Sequence, residues 1–283
     1  MKKNILLLIP ILLMTLIGGC SDSKVESKNW QSFSPVPFSG YVCGFENSKP
    51  MFQLPFFFEY EDTLSEEDIS RVMLCSGNVE IECEDISMLS FRDSCKPGYL
   101  MSTLLFRPVF PSEGKYDVDT IKIYLHDGRT IEKMLGSIAL EVIKENSWDD
   151  MLLFASDFML NQSNTAVIKV TYINKYDSDV KLERFIDTSV DYKIQMYADM
   201  ECKIEEDDTT IPSGEKRTFV FSADNSDESI GKDDQYLFFL PFVEFSSDQF
   251  SGLIPMQSQP LIIQPPFTDE YVAKVVGDFL FRP

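Results

Sequence analysis

The feature that most constrains this chain is the rhythm of its apolar residues. Runs rich in Val, Ile, Phe, Tyr and Thr recur roughly every ten residues, cut by clusters of Gly, Pro, Asn, Asp and Ser. No stretch of the body sustains apolar spacing at i, i+3, i+4 and i+7, so long amphipathic helices are excluded as the framework. The rhythm predicts an all-β chain, a sandwich or a barrel. In the first half it predicts strands at Met51–Tyr60, Ser70–Cys75, Val79–Cys83, Leu100–Arg107, Thr120–His126 and Thr130–Met134, with another near Ser137–Ile143. In the second half it predicts Leu152–Met159, Thr165–Ile173, Val180–Phe185, Asp191–Tyr197, Lys216–Ser222, Tyr236–Phe245 and Leu261–Gln264. Thr268 to Phe281 reads either as a capped helix or as a last strand.

Local turn chemistry supports this division. Asp127-Gly128 sits between two candidate strands and reads as a two-residue hairpin turn with positive φ at both positions. Ser76-Gly77-Asn78 reads as a three-residue loop, which sets Cys75 opposite Val79 and Cys83 opposite Arg71. Phe56-Phe57-Phe58 and the run from Leu237 to Phe242 place Phe on both faces of a strand. One face of each then needs cover from another part of the molecule or from a partner. Pro241 is expected to force a bulge or an edge there.

The amino terminus carries a different signal. Lys2 and Lys3 precede a thirteen-residue apolar core, Ile5 to Ile17, broken only by Pro10 and Thr15. That is short of the roughly 20 residues needed to span a bilayer as a helix and has the length of an export signal. Leu16-Ile17-Gly18-Gly19-Cys20 follows. Small residues before a cysteine let the chain enter a peptidase groove and present the thiol to a lipid donor. The segment resembles the lipobox of bacterial lipoproteins, with Ile17 where Leu is usual and Gly18 where Ala or Ser is common. The resemblance implies a signal peptide over 1–19, diacylglyceryl modification of Cys20 and further acylation of palmitate type. It also implies a mature chain anchored by lipid to the cell membrane or outer membrane on the extracytoplasmic side. Residues 20–33 then read as the lipidated cysteine and a polar tether.

Two β domains are expected beyond the tether, divided at the polar segment Glu145–Asp150 into 34–147 and 148–283. Each has the size of an immunoglobulin-like sandwich. In the second half, "TAVIKVTYINKYDSDVKLERF" followed by "TTIPSGEKRTFVF" resembles the immunoglobulin-like domains of bacterial surface and secreted lipoproteins. In those, a Val/Ile strand ends in Asn and an "IPxGE" turn precedes a Phe/Val strand. The resemblance covers about residues 151–245 and brings no catalytic residues with it. The expected architecture is therefore two consecutive immunoglobulin-like β-sandwich domains after a lipoprotein signal peptide.

Charge and residue type narrow the chemistry. With 46 acidic and 25 basic residues the net charge is −21, unsuited to gripping nucleic-acid phosphates. A single histidine, His126, leaves no multi-histidine metal site. It adjoins a turn on the face of Lys122 and Tyr124, which reads as solvent-facing. No Gly-x-Ser-x-Gly elbow and no CxxC pair occurs. Glu205–Asp208 and Asp224–Glu228 are acidic loops of the kind that bind calcium, but an EF-hand template starting at Asp224 puts Ser229 where Gly is needed and Gln235 where Glu is needed. No cofactor and no metal is expected. Cys43, Cys75, Cys83 and Cys95 are candidate disulfide cysteines in an exported chain, either in two bridges or as buried thiols. Cys202 reads as a buried thiol. The expected role is a non-catalytic binding or structural module of the bacterial envelope, with a protein or glycan as ligand. An accessory protein holding a peptide, glycan or partner protein in an inter-domain groove, and an envelope enzyme, are the alternatives.

Overall fold

The computed structural model describes residues 32–60, 65–94, 96–144, 152–162, 165–186, 193–197, 208–224, 236–256, 260–265 and 267–280. The strands are β1 (Ser34–Pro35), β2 (Phe38–Phe45), β3 (Phe52–Glu59), β4 (Ile69–Ser76), β5 (Val79–Met88), β6 (Arg92–Asp93), β7 (Tyr99–Pro108), β8 (Gly114–Leu125) and β9 (Thr130–Ile143). They continue as β10 (Leu152–Gln162), β11 (Thr165–Asn174), β12 (Val180–Phe185), β13 (Lys193–Tyr197), β14 (Thr210–Ile211), β15 (Lys216–Asp224), β16 (Tyr236–Leu240), β17 (Phe242–Ser246), β18 (Ser251–Pro255) and β19 (Leu261–Ile263). The helix α1 (Asp269–Leu280) follows, with Thr268 accepting the Tyr271 N–H at 3.2 Å as its N-cap. The helical option for this segment is the one realised.

An 11-stranded sheet runs in the order β1-β3-β7-β5-β4-β8-β9-β2-β16-β19, with β6 alongside β7. All its pairings are antiparallel except β9–β2 and β2–β16, which are parallel. The sheet is strongly curled. Phe52 on β3 and Phe238 on β16 lie seven strand steps apart in that order, which a flat sheet would spread over about 33 Å. Their ring centroids are 4.6 Å apart. One face of the sheet thus wraps round a single core that includes Phe38, Phe52, Leu54, Val72, Leu74, Ile121, Leu140 and Phe238. Each large side chain buried there contributes about 1.5–3 kcal/mol.

Two four-stranded sheets, β10-β11-β15-β13 and β14-β12-β17-β18, make up the rest. They share a second core, built from Ile168, Val170 and Tyr172 of β11, Phe219 and Phe221 of β15, Leu182 of β12 and Phe245 of β17. The chain is all-β and sandwich-like, as its rhythm predicts. Its layout differs from two separate small sandwiches, because β16 and β19 leave the second half and pair into the sheet of residues 34–143. The expected boundary at 147/148 lies outside the described residues, and the large sheet draws strands from both sides of it.

The alternating faces of β16 explain this layout. Tyr236, Phe238 and Leu240 point into the first core, while Leu237 and Phe239 point into the second. Every residue of the strand is buried. Pro241 then ends β16, and the chain enters another sheet as β17. The Tyr236–Phe245 strand expected from sequence is thus two strands in two sheets. Phe57 finds its cover in the same way. It meets Phe267 edge-on at 5.8 Å, and Phe267 packs on Tyr271 of α1.

Several expectations shift in detail. β2 was hidden by Pro37, Gly40 and Gly44. Gly40 is required because a Cβ there would lie 1.7 Å from the Phe238 carbonyl oxygen. Thr130–Met134 and Ser137–Ile143 form one strand, with Gly136 at φ +109° passing the backbone of Phe38. The β8–β9 hairpin closes with three residues, His126-Asp127-Gly128, and of these only Gly128 has positive φ. The β4–β5 hairpin has two loop residues, Gly77 and Asn78, so Cys75 faces Glu80 and Cys83 faces Val72.

Candidate functional site

Cys20, Cys95 and Cys202 lie outside the described residues, as do 205–207 and 225–228 of the acidic loops. Cys43, Cys75 and Cys83 are buried and free. Cys83 points into the first core. Cys75 belongs to the opposite face of the same hairpin, because its neighbours Val72 and Leu74 face the core. Cys43 also faces away from that core but sits on β2, three strand steps from β4, or about 14 Å. These three thiols therefore cannot bond with one another where they stand. His126 is exposed at the hairpin tip, and its backbone N–H donates to the Asp68 carbonyl at 3.0 Å. Among the described residues no group of three His, Cys, Asp or Glu is placed to hold a metal, and no helix is long and apolar enough to cross a membrane.

Two polar clusters are built into the fold. The first lies on the outer face of β2 and β9, where Tyr41, Cys43 and Phe242 form a small third core with Ile143, Ile186 and Leu253 around it. Tyr41 Oη donates to Glu141 Oε2 at 2.8 Å, and Lys115 pairs with Glu141 Oε1 at 3.2 Å. Burial, and then the neighbouring Glu141 charge, push the Cys43 thiol well up. Burial chiefly, with Cys43 and Glu141 adding, also pushes the Tyr41 phenol far up. Both groups stay protonated at neutral pH. Such a thiol is a poor nucleophile, and the phenol serves as a hydrogen-bond donor. No sequence signal could pair Tyr41 with Glu141, because their proximity depends on the parallel β2–β9 pairing across a hundred residues.

The second cluster is centred on Asn174, the last residue of β11 and fully buried. Its Nδ2 donates to the carbonyls of Ser178 and Ile211, both at 2.9 Å. Its Oδ1 accepts the Tyr176 N–H at 2.9 Å, and its own N–H donates to the Glu215 carbonyl. Ser213 adds to this clamp, its hydroxyl donating to the Tyr176 carbonyl and its N–H to Asp179 Oδ1. The Asn and the Ile-Pro-Ser-Gly-Glu turn singled out in the sequence are thus two halves of one joint. It fixes the loop after β11 to the turn before β15. Arg217 closes its edge, donating to the Thr210 carbonyl and pairing with Asp208 at 2.9 Å. That pair accounts for the described part of the first acidic loop. The Thr210 N–H, with the Arg217 guanidinium beside it, holds the Asp208 carboxyl below its ordinary range.

The fold therefore defines an all-β, sandwich-like protein in which the buried Tyr41 and Asn174 side chains are engaged in holding strands together. No protein-family model and no curated protein matches the chain. Among solved structures it is similar to a protein of unknown function from Porphyromonas gingivalis W83, at 10% identity and a TM-score of 0.23, over 82% of this chain and 94% of that one.

Proposed function

We propose that the protein is a lipid-anchored component of the bacterial cell envelope, acting outside the cytoplasm as a non-catalytic binding or structural module. The observation that carries this reading is the amino-terminal sequence. Lys2 and Lys3, the apolar core Ile5–Ile17 and Leu16-Ile17-Gly18-Gly19-Cys20 follow one another in the order and spacing of a lipoprotein export signal. The immunoglobulin-like character of the second half is part of the same proposal, and the Asn174 joint gives its motif a structural purpose. Two features support a non-catalytic role. The buried thiol and phenol beside Glu141 are held protonated, and the single histidine is exposed at a hairpin tip.

The test is metabolic labelling with palmitate in a bacterium expressing the full chain, alongside Cys20→Ser. Label in the wild-type chain only, with the protein in the membrane fraction, supports the anchor. An unlabelled chain that leaves the cells in soluble form overturns it.

A further inference from the structure

We infer that the body stands on its tether in one orientation, with one end of the large sheet toward the bilayer and the β17–β18 hairpin presented away from it. This rests on the lipid anchor at Cys20.

The argument is one of strand polarity. The chain enters the fold at Ser32, whose Oγ accepts the Glu59 N–H at 3.3 Å. Phe33 beside it is fully buried against Phe56 and Phe58 at 5.0 and 5.4 Å. The tether is therefore fixed to the end of the sheet where β3 finishes. Glu59 pairs with Tyr99, so β7 starts at that end. Alternation through β5 and β4 brings the start of β4 and the tip of the β8–β9 hairpin there as well. The His126 N–H on the Asp68 carbonyl fastens the two. β9 runs away from this end for fourteen residues, about 43 Å. β2 and β16 are parallel to it, and the chain continues past Pro241 through β17. Through β2, Tyr236–Leu240 lies level with Gly136–Leu140 of β9, and Phe242 meets Phe45 at the end of β2 at 5.9 Å, so β17 begins at the far end of the sheet.

Reach decides the rest. Twelve residue steps separate Cys20 from Ser32, at most about 43 Å of chain. Bringing the far end onto the bilayer would use nearly all of that length to double back along the body. The tether end is reached directly. Its rim has more acid than base, with Glu66, Glu67, Asp68 and Asp93 against Arg92 and Lys96. A gap of a few screening lengths, each about 8 Å at physiological salt, removes its repulsion from anionic lipid. The tether permits such a gap. The sheets of the second half, and the hairpin at Ser247–Phe250, are then the surface that meets anything outside the cell.

The test uses the full chain purified from membranes and returned to vesicles of phosphatidylethanolamine and phosphatidylglycerol containing an acceptor-labelled lipid. A donor fluorophore is attached through a genetically encoded azide at His126 or at Asp248, both exposed. Flotation of the vesicles reports the anchor separately. The expected result is co-flotation with a clearly larger loss of donor fluorescence at His126 than at Asp248. Co-flotation with equal loss at the two positions, meaning a body lying flat, or with the larger loss at Asp248, overturns the orientation while leaving the anchor standing. Protein that stays at the bottom of the gradient removes the anchor and the orientation with it.

Discussion

Asn174→Ala is the substitution that most sharply tests the joint in the second half. The side chain has no exposed surface and makes three hydrogen bonds through its amide. Two of them, to the Ile211 carbonyl and the Tyr176 N–H, are buried. Removing the amide leaves both groups without that partner where water cannot replace it, at about 1–3 kcal/mol each. The Ser178 carbonyl is only partly buried and recovers much of its loss from solvent. The expected total is about 3–5 kcal/mol, a fall in midpoint of about 6–15 °C for a chain of this size. Asn174→Asp has nearly the same shape but sets a carboxylate oxygen against two carbonyls, so at neutral pH it is expected to be worse than Ala. It should recover partly in acid, when the carboxyl can donate. Urea denaturation followed by far-ultraviolet circular dichroism measures both. Lys115→Ala is the control, since that side chain is 80% exposed and its ion pair is worth under about 1 kcal/mol. The reasoning fails if Asn174→Ala is no less stable than Lys115→Ala, or if Asn174→Asp is as stable as wild type at pH 7.

Other outcomes follow from the same structure. Gly40→Ala forces a Cβ to 1.7 Å from the main-chain oxygen of Phe238; a loss of about 3 kcal/mol or more is expected, and an unchanged urea midpoint would contradict the close β2–β16 pairing. Phe238→Ala removes a fully buried ring packed on Phe52 and Phe38 and is expected to cost about 3–5 kcal/mol by the same assay. Alkali should destabilise the protein through Cys43 and Cys83, whose thiols burial raises above the ordinary 9.0. Above pH 9 the unfolded thiols lose protons that the folded ones keep, so stability is intact below that pH. It then falls by up to about 1.4 kcal/mol per pH unit for each thiol. Cys43→Ala should flatten the slope of the urea midpoint between pH 9 and 11, and an unchanged slope would mean that Cys43 is not buried as described.

What was legible in the sequence follows the range of the forces involved. Alternation and turn residues are local, so β4, β7, β11, β12 and β15 could be placed from them to within a few residues, while only the first half of β5 was placed. The Asn174 and Ile-Pro-Ser-Gly-Glu wording was visible, but its purpose was not, because Asn174 and Ile211 meet only after β11 and β15 have paired. β2 was lost because its glycines read as loop chemistry, whereas they serve close approach to Phe238 and Phe110. The doubled Phe of β16 did signal that both faces needed cover. What covers them could not be read, since the parallel pairing of residues 236–240 with 38–42 spans nearly two hundred positions. The Tyr41–Glu141 contact was invisible for the same reason. At the hairpin tips a single residue of loop length changed the register, and with it the partners of Cys75 and Cys83.

The central claim is that β16 locks the two halves of the chain together, with one face in each core. Hydrogen exchange of the intact protein tests it most directly. Amides of Phe38–Phe45 and Tyr236–Leu240 are expected to exchange slowly, through the same opening, with the same dependence on denaturant. Rapid exchange of Tyr236–Leu240 while Phe38–Phe45 stays protected would show that the second half is merely appended to a sheet complete without it.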